Sequence, residues 1–391
     1  LSYRGLVLPP GAAGFVESGG RDLPLALAAP GEPLEPGRPL RLVDQAGRAL
    51  GIALADPENE RLRVMADTDE AIGPALFGAR VAHALALRRS LGLLGERTAF
   101  RAIHGAGDAL PGFSADVLAP WAVVYVYSRA FVAYGEQIAS ALVAQAGLRG
   151  CVVKVRSRGA ASQGRVRQET VGEPPPRTLV VEERGVPFEV HLERGLNTGL
   201  FTDMREHRHA LARLAAGKAV LNGFSYTGTL SAVAARAGAG RVTSVDLSAG
   251  VQGWARDNFR LSGLDPYSPA FRFEVADVGR HLDEAARSGA RFDLVLLDPP
   301  AFSAARGAEF AIDRDYPELI AKACRLVPEG GLLWLACNAR TSSLLDLAAR
   351  GTQAARRHAV LLEQGGLPPD HPTLPAQPED RYLQVALLRL E

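Results

Sequence analysis

Residues 291–304 read RFDLVLLDPPAFSA. Four apolar residues, Leu294 to Leu297, run without a polar break into Asp298-Pro299-Pro300. An apolar run of that length fits a central strand covered on both faces. Two prolines then end it. Neither can donate a ladder hydrogen bond, and each fixes φ at about −65°, so the chain leaves the sheet stiffly. Asp298 and the backbone after it are thereby held at the edge of the sheet, facing a ligand.

Outward from this strand the pattern repeats. KAVLNG, RVTSVDLS, FRFEVADV and LLWLACN are strand-like. TLSAVAARAGA, GVQGWARDNFRLSGL, GRHLDEAARSGA and YPELIAKACRLV are helical. Strand and helix alternating through short turns predict an α/β domain, a mostly parallel sheet with helices on both faces. Ligands of such sheets sit at the carboxyl ends of the strands. The first strand runs into LNGFSYTGTLS (221–231), where Gly223 and Gly228 permit close backbone approach. This is not the GxGxxG phosphate cradle, which a ligand without pyrophosphate does not need. Asn222, Phe224, Ser225, Tyr226 and Thr227 are the candidate ligand-facing positions here. The second strand ends at Asp246-Leu247, an acid placed to accept both hydroxyls of a ribose. The third ends at Asp277-Val278, an acid suited to the exocyclic amine of adenine. A lone Asp there is also a common helix N-cap. The order of small-residue loop, ribose acid, adenine acid and Asp-Pro-Pro implies a Rossmann-like domain that uses S-adenosylmethionine (SAM) to methylate a substrate.

The neighbouring strand carries Cys337 at its carboxyl end. Carbon 5 of a pyrimidine is a poor nucleophile. A thiolate adding to carbon 6 turns it into an enamine-like carbon that can take a methyl group. Asp298, protonated in a dry site, would stabilise charge on the ring. The alternative for Cys337 is a small buried apolar residue. Cys324 lies inside an amphipathic helix and reads as core. Amino-group methyltransferases often place an aromatic directly after the two prolines. Here Ala301 stands there and Phe302 follows, so Pro299, Pro300 and Phe302 are the candidate base-facing residues.

The whole chain has 391 residues, 47% of them hydrophobic, and a net charge of +1, which is globular and long enough for several domains. It has no uninterrupted apolar stretch of about 18 residues, so no membrane span is expected. LSYRGLVLPPGAAG shows no charged start before an apolar core, so no secretory signal is expected. Three scattered cysteines without CxxC predict neither a disulfide framework nor a bound metal, and fit a cytoplasmic setting. Three segments separate. Residues 1–75 are rich in Pro and Gly with short alternating runs, a β-rich module. Residues 76–190 mix helices and strands. Residues 191–391 form the Rossmann-like domain. A basic stripe, Arg149, Lys154, Arg156, Arg158, Arg165 and Arg167, contains no acid. It is read either as a phosphate track or as a solvated hairpin with arginines on its outer face.

GLNTGLFTDMREHR (195–208), NGFSYTGTLS, VDLSAGVQGWARDNFRLSGL, LLDPPAFS and PEGGLLWLAC together resemble the class I, SAM-dependent rRNA large-subunit cytosine-C5 methyltransferases. RLVDQAGRALGIALADPENERLRVM is similar to the family's N-terminal RNA-binding PUA barrel, and HPTLPAQPEDRYLQVALLRL to its closing strands. The resemblance implies that Asp203 and Arg205 lie against the cofactor, that Phe224 to Thr227 wrap it, and that Asp246 and Asp277 hold ribose and adenine. It implies Cys337 as nucleophile with Asp298 beside the base, and one flipped cytosine of 23S rRNA as target, free or in an assembling large subunit. It also turns the stripe towards RNA phosphates, which position rather than read sequence. Two departures stand out. Ala336-Cys337-Asn338 replaces the family's Ser-Cys-Ser, and residues 19–31 lack its His-Pro-Trp-type segment. A purine methyltransferase and a non-catalytic SAM-binding RNA-binding protein are the alternatives, and a homodimer is left open.

Overall fold

The computed structural model describes residues 3–67, 70–95, 98–156, 168–300, 302–305, 308–338 and 342–391, with the backbone alone at 302–305 and 308–310. The chain divides into two compact units. One comprises Leu1–Val181, Val190–Thr198 and Pro369–Asp380; the other comprises Glu182–Glu189, Gly199–Pro368 and Arg381–Glu391.

The second unit holds the alternating pattern. Its elements are α1 (Arg205–Ala215), β1 (Ala219–Gly223), α2 (Thr229–Arg236), β2 (Arg241–Asp246), α3 (Ala249–Leu261), β3 (Phe271–Val275), α4 (Val278–Arg287), β4 (Leu294–Leu297), α5 (Ile312–Cys324), β5 (Leu332–Asn338), α6 (Leu344–Ala354), β6 (Ala359–Gly365) and β7 (Leu383–Leu390). The strands form one sheet in the order β3-β2-β1-β4-β5-β7-β6. The first five are parallel, and β7 runs antiparallel to both β5 and β6. Strand order reverses between β1 and β4, the switch point that opens a crevice at the strand ends. All four residues of β4 are buried, as a strand covered on both faces requires.

The face of β4 and β5 towards α5 and α6 is an apolar cluster containing Val295, Leu297, Leu333, Leu335, Tyr316, Ile320, Leu344 and Leu347. Helix α5 buries Tyr316, Ile320, Ala323 and Cys324, the spacing of one helical face. Cys324, expected in the core, is buried, and burial pushes its thiol up to about 11. Pro317 sits inside this helix and cannot donate to the Asp313 carbonyl, four residues back. Arg350 Nη2 of α6 donates to that oxygen instead, at 2.7 Å. A side chain at Gly351 would stand 2.8 Å from the Pro317 carbonyl, so only glycine lets the two helices approach this closely.

The first unit contains two sheets. In one, Arg4–Val7, Pro39–Val43, Ala49–Asp56, Arg61–Ala66 and Asp22–Pro24 lie side by side in that order. The β-rich character of residues 1–75 is as expected, but among the described residues the strands make an open sheet rather than a closed barrel. Helix Pro10–Glu17, opened by a proline at its first turn, was missed because Pro and Gly in PGAAGFVE read as turn residues. The other sheet runs Gln168–Gly172, Gly150–Val155, Trp121–Val126, Phe113–Leu118, Ala99–His104, with helices Pro74–Ser90 and Val132–Ala146 in its core cluster.

That unit is locked by a buried ion pair. Arg88 is inaccessible to solvent and grips both carboxylate oxygens of Asp108, at 2.5 and 2.7 Å. Its Nη2 also donates to the Asp370 carbonyl at 2.7 Å, and Asp370 accepts the Arg101 N–H at 2.9 Å. Residues 369–380 are thereby tied to the first unit. Removing one partner strands a buried charge. Arg88→Met is expected to cost about 3–5 kcal/mol in chemical denaturation, whereas an exposed Arg38→Met should cost under about 1 kcal/mol.

Candidate active site

The loop between β1 and α2 is held from several sides. Ser225 N–H donates to the Val245 carbonyl at 3.0 Å, Tyr226 N–H to Asp246 Oδ2 at 3.0 Å, and Gly228 N–H to the Ser225 carbonyl at 2.8 Å. Phe224 and Tyr226 have φ of +61° and +49°. Left-handed backbone at residues with a Cβ costs about 1–2 kcal/mol each, and the bonds to β2 sustain it. A side chain at Gly223 would stand 2.9 Å from both Leu297 Cδ2 and Val278 Cγ1, so a larger residue would have to push both side chains aside. Buried Gln252 of α3 stitches three strand ends together: its Nε2 reaches Ser225 Oγ at 3.1 Å and the Ser244 and Glu274 carbonyls at 3.3 Å. Thr227 donates to the Gly199 carbonyl at 2.6 Å, and Asn258 Nδ2 to the Thr227 carbonyl at 2.8 Å.

Asp246 accepts one backbone N–H on each oxygen, from Tyr226 and Ser248, both at 3.0 Å. Each oxygen keeps a further acceptor direction, which suits a diol. Leu247 beside it is 52% exposed and offers an apolar side next to the carboxylate. Asp277 caps α4, accepting the Arg280 N–H on Oδ1 at 2.9 Å, which leaves Oδ2 for another donor. Asn222 and Val278, expected against a ligand, are buried at the strand ends. Asn222 Nδ2 donates to Ser231 Oγ at 2.9 Å, so it supports the loop from beneath.

Asp298 follows β4, partly open to solvent. Burial pushes its carboxyl up to about 7, nearby Asp203 pushes it further in the same direction, and Arg208 opposes them. Asp203 accepts the Tyr382 hydroxyl at 2.9 Å. Arg208 is clamped on Glu183 by two bonds of 2.7 Å and donates to the Phe201 carbonyl at 2.8 Å, so its charge is fixed in place. Arg205 is buried, with Nε 3.1 Å from Glu206.

Cys337 is the penultimate residue of β5, adjacent to β4 in the sheet. It has no solvent exposure and belongs to the apolar cluster with Leu335, Leu344 and Tyr316. The Tyr316 hydroxyl reaches two carbonyls, Leu297 O at 2.8 Å and Ala336 O at 2.9 Å. Those carbonyls immediately precede Asp298 and Cys337.

A family model described as S-adenosylmethionine-dependent methyltransferase matches residues 129–380. The chain belongs to this methyltransferase family. The Ribosomal RNA large subunit methyltransferase I of Shewanella denitrificans is 32% identical over 358 residues, 89% of each chain. The Ribosomal RNA large subunit methyltransferase of Deinococcus radiodurans is 31% identical over 374 residues, 91% of this chain and 90% of its own. An SAM-dependent methyltransferase from Streptococcus mutans has the same fold, with a TM-score of 0.87 at 23% identity, covering 99% of this chain and 100% of that one. A methyltransferase complexed with SAH superposes with a TM-score of 0.89 at 23% identity and the same coverage.

The cofactor of the methyltransferase is therefore SAM. The donor set fits it: a loop without a phosphate cradle, a carboxylate with spare acceptor directions, and an exposed leucine beside that carboxylate. No helix among the described residues is long and apolar enough to cross a membrane, and no described cluster could hold a metal ion.

The basic stripe is corrected in part. Lys154 is fully buried, because its strand is covered on both faces, and its ammonium donates to the Gly195 carbonyl at 2.9 Å. Burial lowers it to about 8. Held on that carbonyl away from solvent, it does not reach a phosphate. Arg156 lies 4.2 Å over the Tyr125 ring and donates to Asn197 Oδ1 at 2.6 Å. Arg158, Arg165 and Arg167, and the Phe302 side chain, lie outside the described residues. Gln252, Asn258, Arg208 and Tyr316 were missed. Gln252 and Asn258 had a signal: both are polar residues on the face of α3 that also carries Ala255 and Phe259.

Proposed function

We propose that this methyltransferase forms 5-methylcytosine in large-subunit ribosomal RNA, with Cys337 as nucleophile and Asp298 as the acid at the ring. The observation that carries the reading is the pairing of an acid raised to about 7 with a cysteine, at the ends of adjacent parallel strands. The names of the relatives support ribosomal RNA as substrate. Bound SAM supplies an electrophilic methyl group. In the proposed cycle the Cys337 thiolate bonds to carbon 6 of the cytosine. The π pair of the C5–C6 bond moves through C4 to N3, and Asp298 delivers its proton there. Once carbon 5 is methylated, a base removes its remaining proton. The C–S bond breaks, the thiolate returns, and the N3 proton goes back to Asp298. The thiol is sheltered in the free protein, so entry of the flipped base has to uncover it.

Phe224 to Thr227, Asp246, Leu247 and Asp277 are the proposed cofactor contacts, with Asp203 and Arg205 near its methionine end. Pro299, Pro300 and Phe302 are the proposed base-facing residues. We assign residues 1–75 as a PUA-like module, 76–190 as the middle domain and 191–391 as the catalytic domain. Arg156, Arg158, Arg165 and Arg167 would lie along RNA phosphates in the cytoplasm, where large subunits assemble. A purine target is the second reading, favoured by the complete burial of Cys337, since methylating a purine nitrogen needs no thiol. Purified protein with labelled SAM and unmodified large-subunit ribosomal RNA separates the two. 5-Methylcytidine in the nuclease digest supports the first; a methylated purine nucleoside overturns it.

The electrostatics predict a further result. Asp203 raises Asp298, so Asp203→Asn lowers the pH at which Asp298 ionises. The alkaline fall in kcat is expected to move to lower pH in that variant, measured as a pH–rate profile at saturating RNA and SAM.

A further inference from the structure

We propose that Tyr316 is a positioning residue for the methyl transfer, setting the separation of Asp298 and Cys337 through the two backbone carbonyls that precede them. The inference rests on the proposed cysteine mechanism and deepens it.

The ladder between β4 and β5 pairs Leu294 to Leu297 with Leu332 to Leu335 and then stops. It stops because Pro299 and Pro300 bring no N–H to continue it. The Leu297 and Ala336 carbonyls lie where the two strands part. Both are in a buried region, where an unsatisfied carbonyl is costly. The Tyr316 hydroxyl serves both, at 2.8 and 2.9 Å. One hydroxyl has one hydrogen, so the two acceptors share it. The ring has no solvent exposure and fills the wedge between the strand ends. Burial raises its phenol well above the ordinary value, with Asp298 and Cys337 adding to the shift, so it stays a neutral donor and lies near both groups.

The support behind the tyrosine is rigid. Pro317 follows it in α5, Arg350 takes up the carbonyl that this proline leaves, and Gly351 seats α6 against Ile320. The hydroxyl is thus the tip of a braced wedge. A shift of about an ångström between an acid and a nucleophile costs about a hundredfold in rate.

Two replacements at 316 test this, with Cys337→Ala as reference. Tyr316→Phe keeps the ring and removes the shared hydrogen. It is expected to lower kcat about tenfold or more, while KM for RNA and the SAM dissociation constant stay within about twofold. It should also slow trapping of the protein on 5-fluorocytosine-substituted RNA, where the missing carbon-5 proton blocks release of the thiolate. Replacement of Tyr316 by p-aminophenylalanine supplies two N–H donors, one per carbonyl, and is expected to restore kcat. A merely structural tyrosine would lower the unfolding temperature of the Phe variant and leave kcat per folded molecule unchanged. That result overturns the proposal, as does a p-aminophenylalanine protein that binds SAM but remains slow. Should the Phe variant not fold, the p-aminophenylalanine protein decides alone. If Cys337→Ala is inactive while Tyr316→Phe is fully active, the positioning role fails and the cysteine mechanism stands. If Cys337→Ala is active, the mechanism itself fails.

Discussion

Cys337→Ala is expected to abolish methyl transfer, by at least about a thousandfold, while SAM binds within about twofold of the unaltered protein. The chemical reason is specific. Without sulfur at carbon 6, carbon 5 stays part of an aromatic ring and has no nucleophilic character to spend on a methyl group. The proposed SAM contacts lie elsewhere, on the β1–α2 loop and at Asp246, so binding should survive. The side chain is small and wholly buried, so truncation to Ala leaves a modest cavity and costs about 1 kcal/mol. Loss of activity with retained SAM binding and a nearly unchanged melting curve therefore reports chemistry. Full activity of the variant, with a methylated purine as product, would move the protein to the second reading. Equilibrium dialysis with SAM and single-turnover methyl incorporation are the measurements.

Asp298→Asn is expected to lower kcat by about 10²–10⁴-fold and, at alkaline pH, to stabilise the protein. The folded-state carboxyl lies at about 7, above its ordinary value of 3.8. A group raised in this direction binds more protons folded than unfolded. Its contribution favours the fold most below about pH 4 and is lost as pH rises to about 7. Above that, the chain carries an ionised carboxylate that its surroundings disfavour. The shift corresponds to an upper bound of about 4 kcal/mol, and partial solvent access reduces it to about 2 kcal/mol. Asparagine is nearly isosteric and never ionises. The variant should melt higher than the unaltered protein at about pH 8, with the gap narrowing as pH falls and closing by about pH 4. Equal melting curves at both pH values would mean that the carboxyl is ordinary, and the proposed acid role would go with it.

The strand ends were legible in the sequence because each was marked by an acid. Asp246, Asp277 and Asp298 close or follow strand-like runs, and the runs are β2, β3 and β4. What was not legible were partners distant in sequence. Tyr316 reads as one more apolar face residue of α5; only the folded chain shows its hydroxyl between two carbonyls. Arg208 lies in TDMREHR beside the expected Asp203 and Arg205, yet its partner Glu183 comes from a preceding hairpin. Lys154 sits among arginines and reads as surface charge. Its burial follows from a strand sandwiched on both faces, which a charge count along the chain does not reveal. The N-terminal sheet was legible as β-rich, but whether strands close or stay open depends on pairings between residues far apart.

The order of strands in the second unit bears on when this protein can begin to work. The last of the described strands, β7, does not add to an edge of the sheet; it fills the gap between β5 and β6. Until residues 383–390 leave the ribosome tunnel, β5 has a bare row of backbone donors and acceptors, and Cys337 lacks its cross-strand neighbour Gln384. The β1–α2 loop can thus form before the edge that carries Cys337 is complete. A chain lacking β7 would leave the carboxyl end of β5, with Cys337, unpaired along that side.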